Sequence, residues 1–83
     1  MRRTFKEHIV GHCLYRQIKY IERKDPWELE INDGEIRITK NKNGEYEFFD
    51  REGNKMIFRA SDWDLACNFI ESCINHEEEE SIY

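Results

Sequence analysis

No stretch of about 18 apolar residues occurs, the length that crosses a hydrocarbon core, so no membrane-spanning helix is expected. Met1-Arg2-Arg3 is not followed by an apolar run, and a secretory leader is not expected either. Cysteine is scarce and odd in number. Cys13, Cys67 and Cys73 all fall within apolar helical patterns rather than loops, which reads as reduced thiols in a cytoplasmic protein. Glycine loops that cradle phosphate, a Ser-His-Asp spacing and carboxylates paired over a pocket are all missing. Lys and Arg are absent from residues 61–83, which carry seven Asp or Glu, whereas residues 1–24 hold seven Arg or Lys against two Glu. The net charge of −5 therefore conceals a basic end and an acidic end.

What the chain does have is 83 residues with 13% aromatics, enough for one domain with a small core. Its centre, residues 27–60, is an alternating stretch cut by Asp33-Gly34, Asn43-Gly44 and Gly53-Asn54 into four short strands. A two-residue type I′ loop at Asp33-Gly34 pairs Ile31 with Ile36 and Leu29 with Ile38. Three-residue loops Lys42-Asn43-Gly44 and Arg51-Glu52-Gly53, each with glycine in the left-handed position, keep Ile38, Tyr46, Phe48, Met56 and Phe58 on that same face with Trp27. A slip of one residue in either loop sends half of these side chains into water. The opposite face then shows Glu28, Glu30, Arg37, Thr39, Glu45, Glu47, Phe49, Lys55, Ile57 and Arg59.

Helices are expected on either side of the sheet. Thr4-Phe5-Lys6-Glu7 is a capping-box sequence, and Pro26 disfavours helical geometry at Asp25, so the first helix is expected over residues 5–24. Its apolar side is Val10, Leu14, Ile18 and Ile21, flanked by Ile9, Cys13 and Tyr20. The opposite side is a basic stripe of His8, His12, Tyr15, Arg16, Lys19 and Arg23. Gly11 costs roughly 1 kcal/mol relative to Ala within a helix, which points to close approach by a neighbour. Ser61-Asp62-Trp63-Asp64 is a second capping box, and the helix it starts is expected to end at 75–78. Trp63, Cys67, Ile70 and Ile74 make its stripe toward the sheet, with Leu65, Phe69 and Cys73 to one side. The expected architecture is α+β in the order αββββα: a four-stranded antiparallel meander with both helices on one face. One domain spans 1–76, followed by a frayed acidic tail over 77–83 that contains Glu77 to Glu80.

Chemistry can be drawn at few places. His8 and His12 at i, i+4, with Cys73 and His76 at i, i+3, sketch a zinc site, but the histidines share their stripe with Arg16, Lys19 and Arg23, which repel a dication. The thiols lie on apolar stripes, where burial keeps them protonated and inert. No metal, cofactor or enzymatic activity is expected. Two binding surfaces remain. The sheet face offers Glu28, Glu30, Arg37, Glu45, Glu47, Phe49 and Ile57, suited to a protein partner with a basic surface. The basic stripe of the first helix is the alternative, as a contact for nucleic acid.

Three layouts known elsewhere are similar. From Asn43-Gly44-Glu45-Tyr46 through Asp50-Arg51-Glu52-Gly53 to Ala60-Ser61, three strands and a helix resemble the arm-binding domains of phage-type integrases. The helix–sheet–helix order resembles a double-stranded-RNA-binding domain. A short acidic chain with an N-terminal helix, a meander and a C-terminal helix also resembles phage-encoded anti-CRISPR and related anti-defence inhibitors. That last resemblance implies a stoichiometric inhibitor or adaptor presenting carboxylates, here Glu28, Glu30, Glu45, Glu47 and Glu77 to Glu80, where phosphates would lie on its target.

Overall fold

The computed structural model describes residues 3–82, with side chains through Ile74. Among the described residues the order is α1 (Phe5–Arg16), β1 (Tyr20–Arg23), β2 (Glu28–Ile31), β3 (Ile36–Lys40), β4 (Tyr46–Phe49), β5 (Lys55–Phe58), a 3-10 turn (Ala60–Asp62) and α2 (Trp63–Ile82). The strands form one antiparallel sheet in sequence order, β1-β2-β3-β4-β5. The α+β class, the meander and the helices on one face follow the expectation. The sheet has five strands rather than four, because residues 20–23 are strand and not the end of a helix.

The physical reason lies at Gln17. Thr4 starts α1 with the expected reciprocal cap: Glu7 N–H donates to Thr4 Oγ1 (3.2 Å) and Thr4 N–H to Glu7 Oε1 (2.9 Å). Thirteen residues on, Gln17 adopts φ +58°. Its N–H donates to the Leu14 carbonyl (3.2 Å), and the Ile18 N–H reaches back to the Cys13 carbonyl (2.8 Å). This is the helix-closing arrangement that glycine usually makes. Tyr20-Ile21-Glu22-Arg23 then pairs with β2, Tyr20 opposite Ile31 and Arg23 opposite Glu28.

Within residues 27–60 the register is the expected one. Ile31 faces Ile36, Leu29 faces Ile38, Ile38 faces Phe48, and Phe48 faces Met56. Asp33 and Gly34 both have positive φ (57° and 84°), as a type I′ turn requires. The other two hairpins are copies of each other. Asn41 Oδ1 accepts from the N–H groups of Asn43 (2.9 Å) and Glu45 (3.0 Å). Asp50 Oδ1 accepts from those of Glu52 (2.9 Å) and Asn54 (2.9 Å). Gly44 (φ +80°) and Gly53 (φ +86°) take the left-handed position that closes each loop.

The core lies between the sheet and the helices: Phe5, Ile9 and Cys13 of α1, Ala66, Ile70 and Ile74 of α2, and Leu29, Ile31, Ile36, Ile38, Tyr46, Phe48 and Phe58 of the strands. Phe48 is its hub, edge-on to Phe5 (6.1 Å), Phe58 (4.8 Å) and Phe69 (5.9 Å). The helices are rotated from the expected stripes. In α1 the buried line is Phe5, Ile9, Cys13, and Leu14 is 63% exposed. In α2 the buried line is Ala66, Ile70, Ile74, with Trp63 and Leu65 exposed. Ser61 sits inside the 3-10 turn rather than capping α2. A Cβ at Gly11 would meet only the end of the Arg3 side chain at 3.3 Å, so no backbone approach explains that glycine. The helix expected to stop at 75–78 continues to Ile82. The side chains of His76 and of Glu77 to Glu80 lie outside the described residues.

Candidate interaction face

The sheet face away from the helices is built by strand alternation: with Leu29, Ile31, Ile36, Ile38 and Phe48 turned into the core, their neighbours must point outward. Register arranges these neighbours in two rows across all five strands. One row is Ile21, Glu30, Arg37, Phe49, Lys55; the other is Arg23, Glu28, Thr39, Glu47, Ile57. Each row is roughly 19 Å wide at the usual strand spacing. Arg37, Glu30, Glu28, Glu47, Phe49 and Ile57 therefore share one surface as expected, and Glu45 precedes β4 on the same side.

Two members of these rows were not expected there. Ile21, assigned to the apolar side of a helix, stands 54% exposed on the open face, and Ile57 is 48% exposed at the diagonal corner. Phe49 is half-buried, with the Arg37 guanidinium 5.9 Å from its ring centroid. Arg23, assigned to the basic stripe, instead reaches over β2. Its Nη1 donates to Glu30 Oε1 (2.8 Å) and lies 3.3 Å from Glu28 Oε2. The signal for both was present: Tyr20-Ile21-Glu22-Arg23 alternates with period two and carries β-favouring residues before Pro26.

Arg23 adds a cation to a face on which Arg37 and Lys55 were expected. Three cations, Arg23, Arg37 and Lys55, stand among three carboxylates, Glu28, Glu30 and Glu47. Glu28 and Glu30 are held by Arg23, and Asn41 Nδ2 donates to both Glu45 Oε1 and Glu47 Oε2 (3.2 Å each). The expected carboxylates are thus interleaved with cations in the two rows, with Glu45 beside them.

The basic stripe is also not one surface. Three of its helical members face α2: His8 stacks on Trp63 (centroids 3.9 Å, 3° between planes) and His12 Nε2 donates to Glu71 Oε2 (2.8 Å). Arg16 Nε donates to both Glu71 oxygens (3.1 and 3.0 Å), and its Nη2 lies 2.9 Å from Oε1. Tyr15 is exposed, Lys19 lies in the α1–β1 connection, and Arg23 is on the sheet. The helix that would have aligned all six ends at Arg16. What the sequence presented as a phosphate contact is in large part the joint between the helices.

That joint has a pH signature. The hydrogen bonds from Arg16, with a smaller contribution from His12, hold the Glu71 carboxyl below its ordinary value of 4.5 against the opposing effect of burial. A carboxyl depressed in the folded state contributes stability above its unfolded pKa and loses it as pH falls through the lower folded value. Glu71→Gln is therefore expected to cost about 1 kcal/mol at pH 7. The gap between variant and parent should close as the pH drops below 4.5, read from urea midpoints at both pH values. An equal gap in acid would mean that the carboxylate charge is not what holds the joint.

Burial pushes the Cys13 thiol up to about 11, and raises Cys67 and Cys73 too, so none is poised as a thiolate nucleophile. Among the described residues no group of three or more His, Cys, Asp or Glu side chains is placed to hold a metal ion. No helix there is long and apolar enough to cross a membrane. Comparison with protein-family models, with curated proteins and with solved structures returned no match.

Proposed function

We propose that the chain is a non-enzymatic protein-interaction module, a stoichiometric inhibitor or adaptor, which docks through the open face of its sheet. The observation that carries this reading is the placement of Ile21, Phe49 and Ile57 on a face the helices leave bare, while the reverse face carries the core. Apolar anchors framed by charged side chains have the composition of a binding centre with a polar rim. The alternating Arg23, Glu28, Glu30, Arg37, Glu47 and Lys55 suit a partner surface of mixed sign, where complementary charges set orientation and association rate. A nucleic acid, uniformly negative, would meet as many carboxylates as cations here.

The test is affinity capture of the partner from the source cell, followed by binding measurements on variants. Phe49→Ala combined with Ile57→Ser is expected to leave the circular dichroism spectrum and thermal transition nearly unchanged. Binding should weaken by about 2 kcal/mol or more, some 30-fold. Charge reversal at Glu28, Glu30 and Glu47 should act mainly on the association rate. Unaltered affinity in the double variant would remove the sheet face from consideration.

A further inference from the structure

The sheet ends in two edge strands, and they are not alike. At β1, the Asn32 N–H donates to the Lys19 carbonyl (2.8 Å), so by alternation the backbone groups of Ile21 and Arg23 face β2 and those of Tyr20 and Glu22 face outward. Pairing two β1 edges through these groups centres on Ile21 and sets Lys19 of one copy opposite Arg23 of the other. Like charges there, with Glu22, Lys24 and Pro26 alongside, guard that edge.

The β5 edge is less guarded. The Asp50 N–H donates to the Asn54 carbonyl (3.1 Å). Alternation from that pair turns Met56 and Phe58 toward β4 and leaves the N–H and C=O groups of Lys55 and Ile57 pointing away from the sheet. Apolar side chains flank these groups on both faces. Met56 is 45% exposed on the helix side and Ile57 48% on the open side. Leu65, 54% exposed, lies one turn before Phe69, which packs on Phe58 (6.0 Å). Lys55 is the single charge within the strand.

We propose that β5 is a self-association edge: a second copy of the chain adds its own β5 antiparallel, about a two-fold axis through Met56, to give one continuous sheet. The strand is complementary to itself in this register. Lys55 of one copy stands opposite Ile57 of the other, so each of the two such pairs exchanges both of its outward N–H···O bonds. Met56 meets Met56 at the close, non-hydrogen-bonded position on the helix side. The Lys55 stem lies along Ile57 with its ammonium in water. Asn54 falls opposite Phe58 and Gly53 opposite Arg59, so no like charges oppose each other. Shifting the register by one pair in either direction sets Lys55 against Lys55 or against Arg59. The inference concerns the sheet edge and does not depend on the docking role given to the open face.

The test is the mass of the full chain in solution, by light scattering or sedimentation. It is measured across about 5–500 µM, because dimer population follows concentration. The parent is expected to move from the 10.2 kDa of one chain to twice that. Ile57→Pro removes an outward N–H at a position where an edge strand accepts proline, and should stay at the single-chain mass. Met56→Lys and Met56→Glu should each be monomeric alone, since each sets like charges together, and should recover the dimer when mixed in equal amounts. If Ile57→Pro fails to fold, the Met56 pair decides alone. A parent that remains at single-chain mass at the highest concentration overturns the proposal. So does a dimer that survives Met56→Lys, or a mixture that fails to re-form one.

Discussion

Phe48→Ala is expected to leave the domain largely unfolded. Its ring is fully buried at the centre of β4 and touches Phe5, Phe58 and Phe69, so both helices and the next strand lose a contact together. A buried Phe→Ala change costs about 3–5 kcal/mol, against a total of about 4–12 kcal/mol for a chain of this length. Urea titration should show the midpoint collapse. Phe58→Ala should be nearly as damaging, its residue being 6% exposed. Phe49→Ala, one residue along but on the open face, should cost far less. A larger loss at Phe49 than at Phe48 would show that the faces are reversed. Trp63, which the sequence placed in the core, is 40% exposed with one ring face on His8, and its replacement by alanine should cost much less than that of Phe48.

The second large effect separates two neighbours on α1. Ile9→Ala should lose about 2–5 kcal/mol, because Ile9 is fully buried in the core that the helices share with the sheet. Leu14→Ala, at 63% exposure, should stay within about 0.5 kcal/mol. Thermal denaturation of both variants checks this directly. A larger loss at Leu14 than at Ile9 would restore the stripe Val10, Leu14, Ile18, Ile21 that periodicity favoured.

That stripe shows where the sequence was legible and where it was not. The hairpins were readable because their chemistry is local. Asp33-Gly34 calls for a two-residue turn, Gly44 and Gly53 close three-residue loops, and a wrong register would expose Phe48 or Ile38. The end of α1 was not readable, because Gln17 takes a left-handed conformation that glycine usually signals. Residues 18–23 meanwhile satisfy a helical period through Ile18 and Ile21 as well as a strand period through Tyr20 and Glu22. Tertiary pairing with β2 decided between the two. From this one boundary follow the rotated helix, the dispersal of His8, His12, Tyr15, Arg16, Lys19 and Arg23, and the presence of Ile21 and Arg23 on the candidate face. Phe49, Ile57, Arg37, Glu28, Glu30 and Glu47 were placed correctly because they lie between legible turns. Arg23, which adds a cation beside Glu28 and Glu30, came from outside that segment.

A sheet whose strands pair strictly in sequence order also has a kinetic meaning. Each strand needs only its predecessor, so every hairpin closes a short loop, and such local pairings form early at small entropic cost. The joint between α1 and α2 is different. The contacts of His12 and Arg16 with Glu71 span 59 and 55 residues, and pairing of the meander between them shortens the path that they must close. The sheet is thus the template on which the two ends of the chain meet. The helix joint therefore carries a larger loop-closure cost than any hairpin of the sheet.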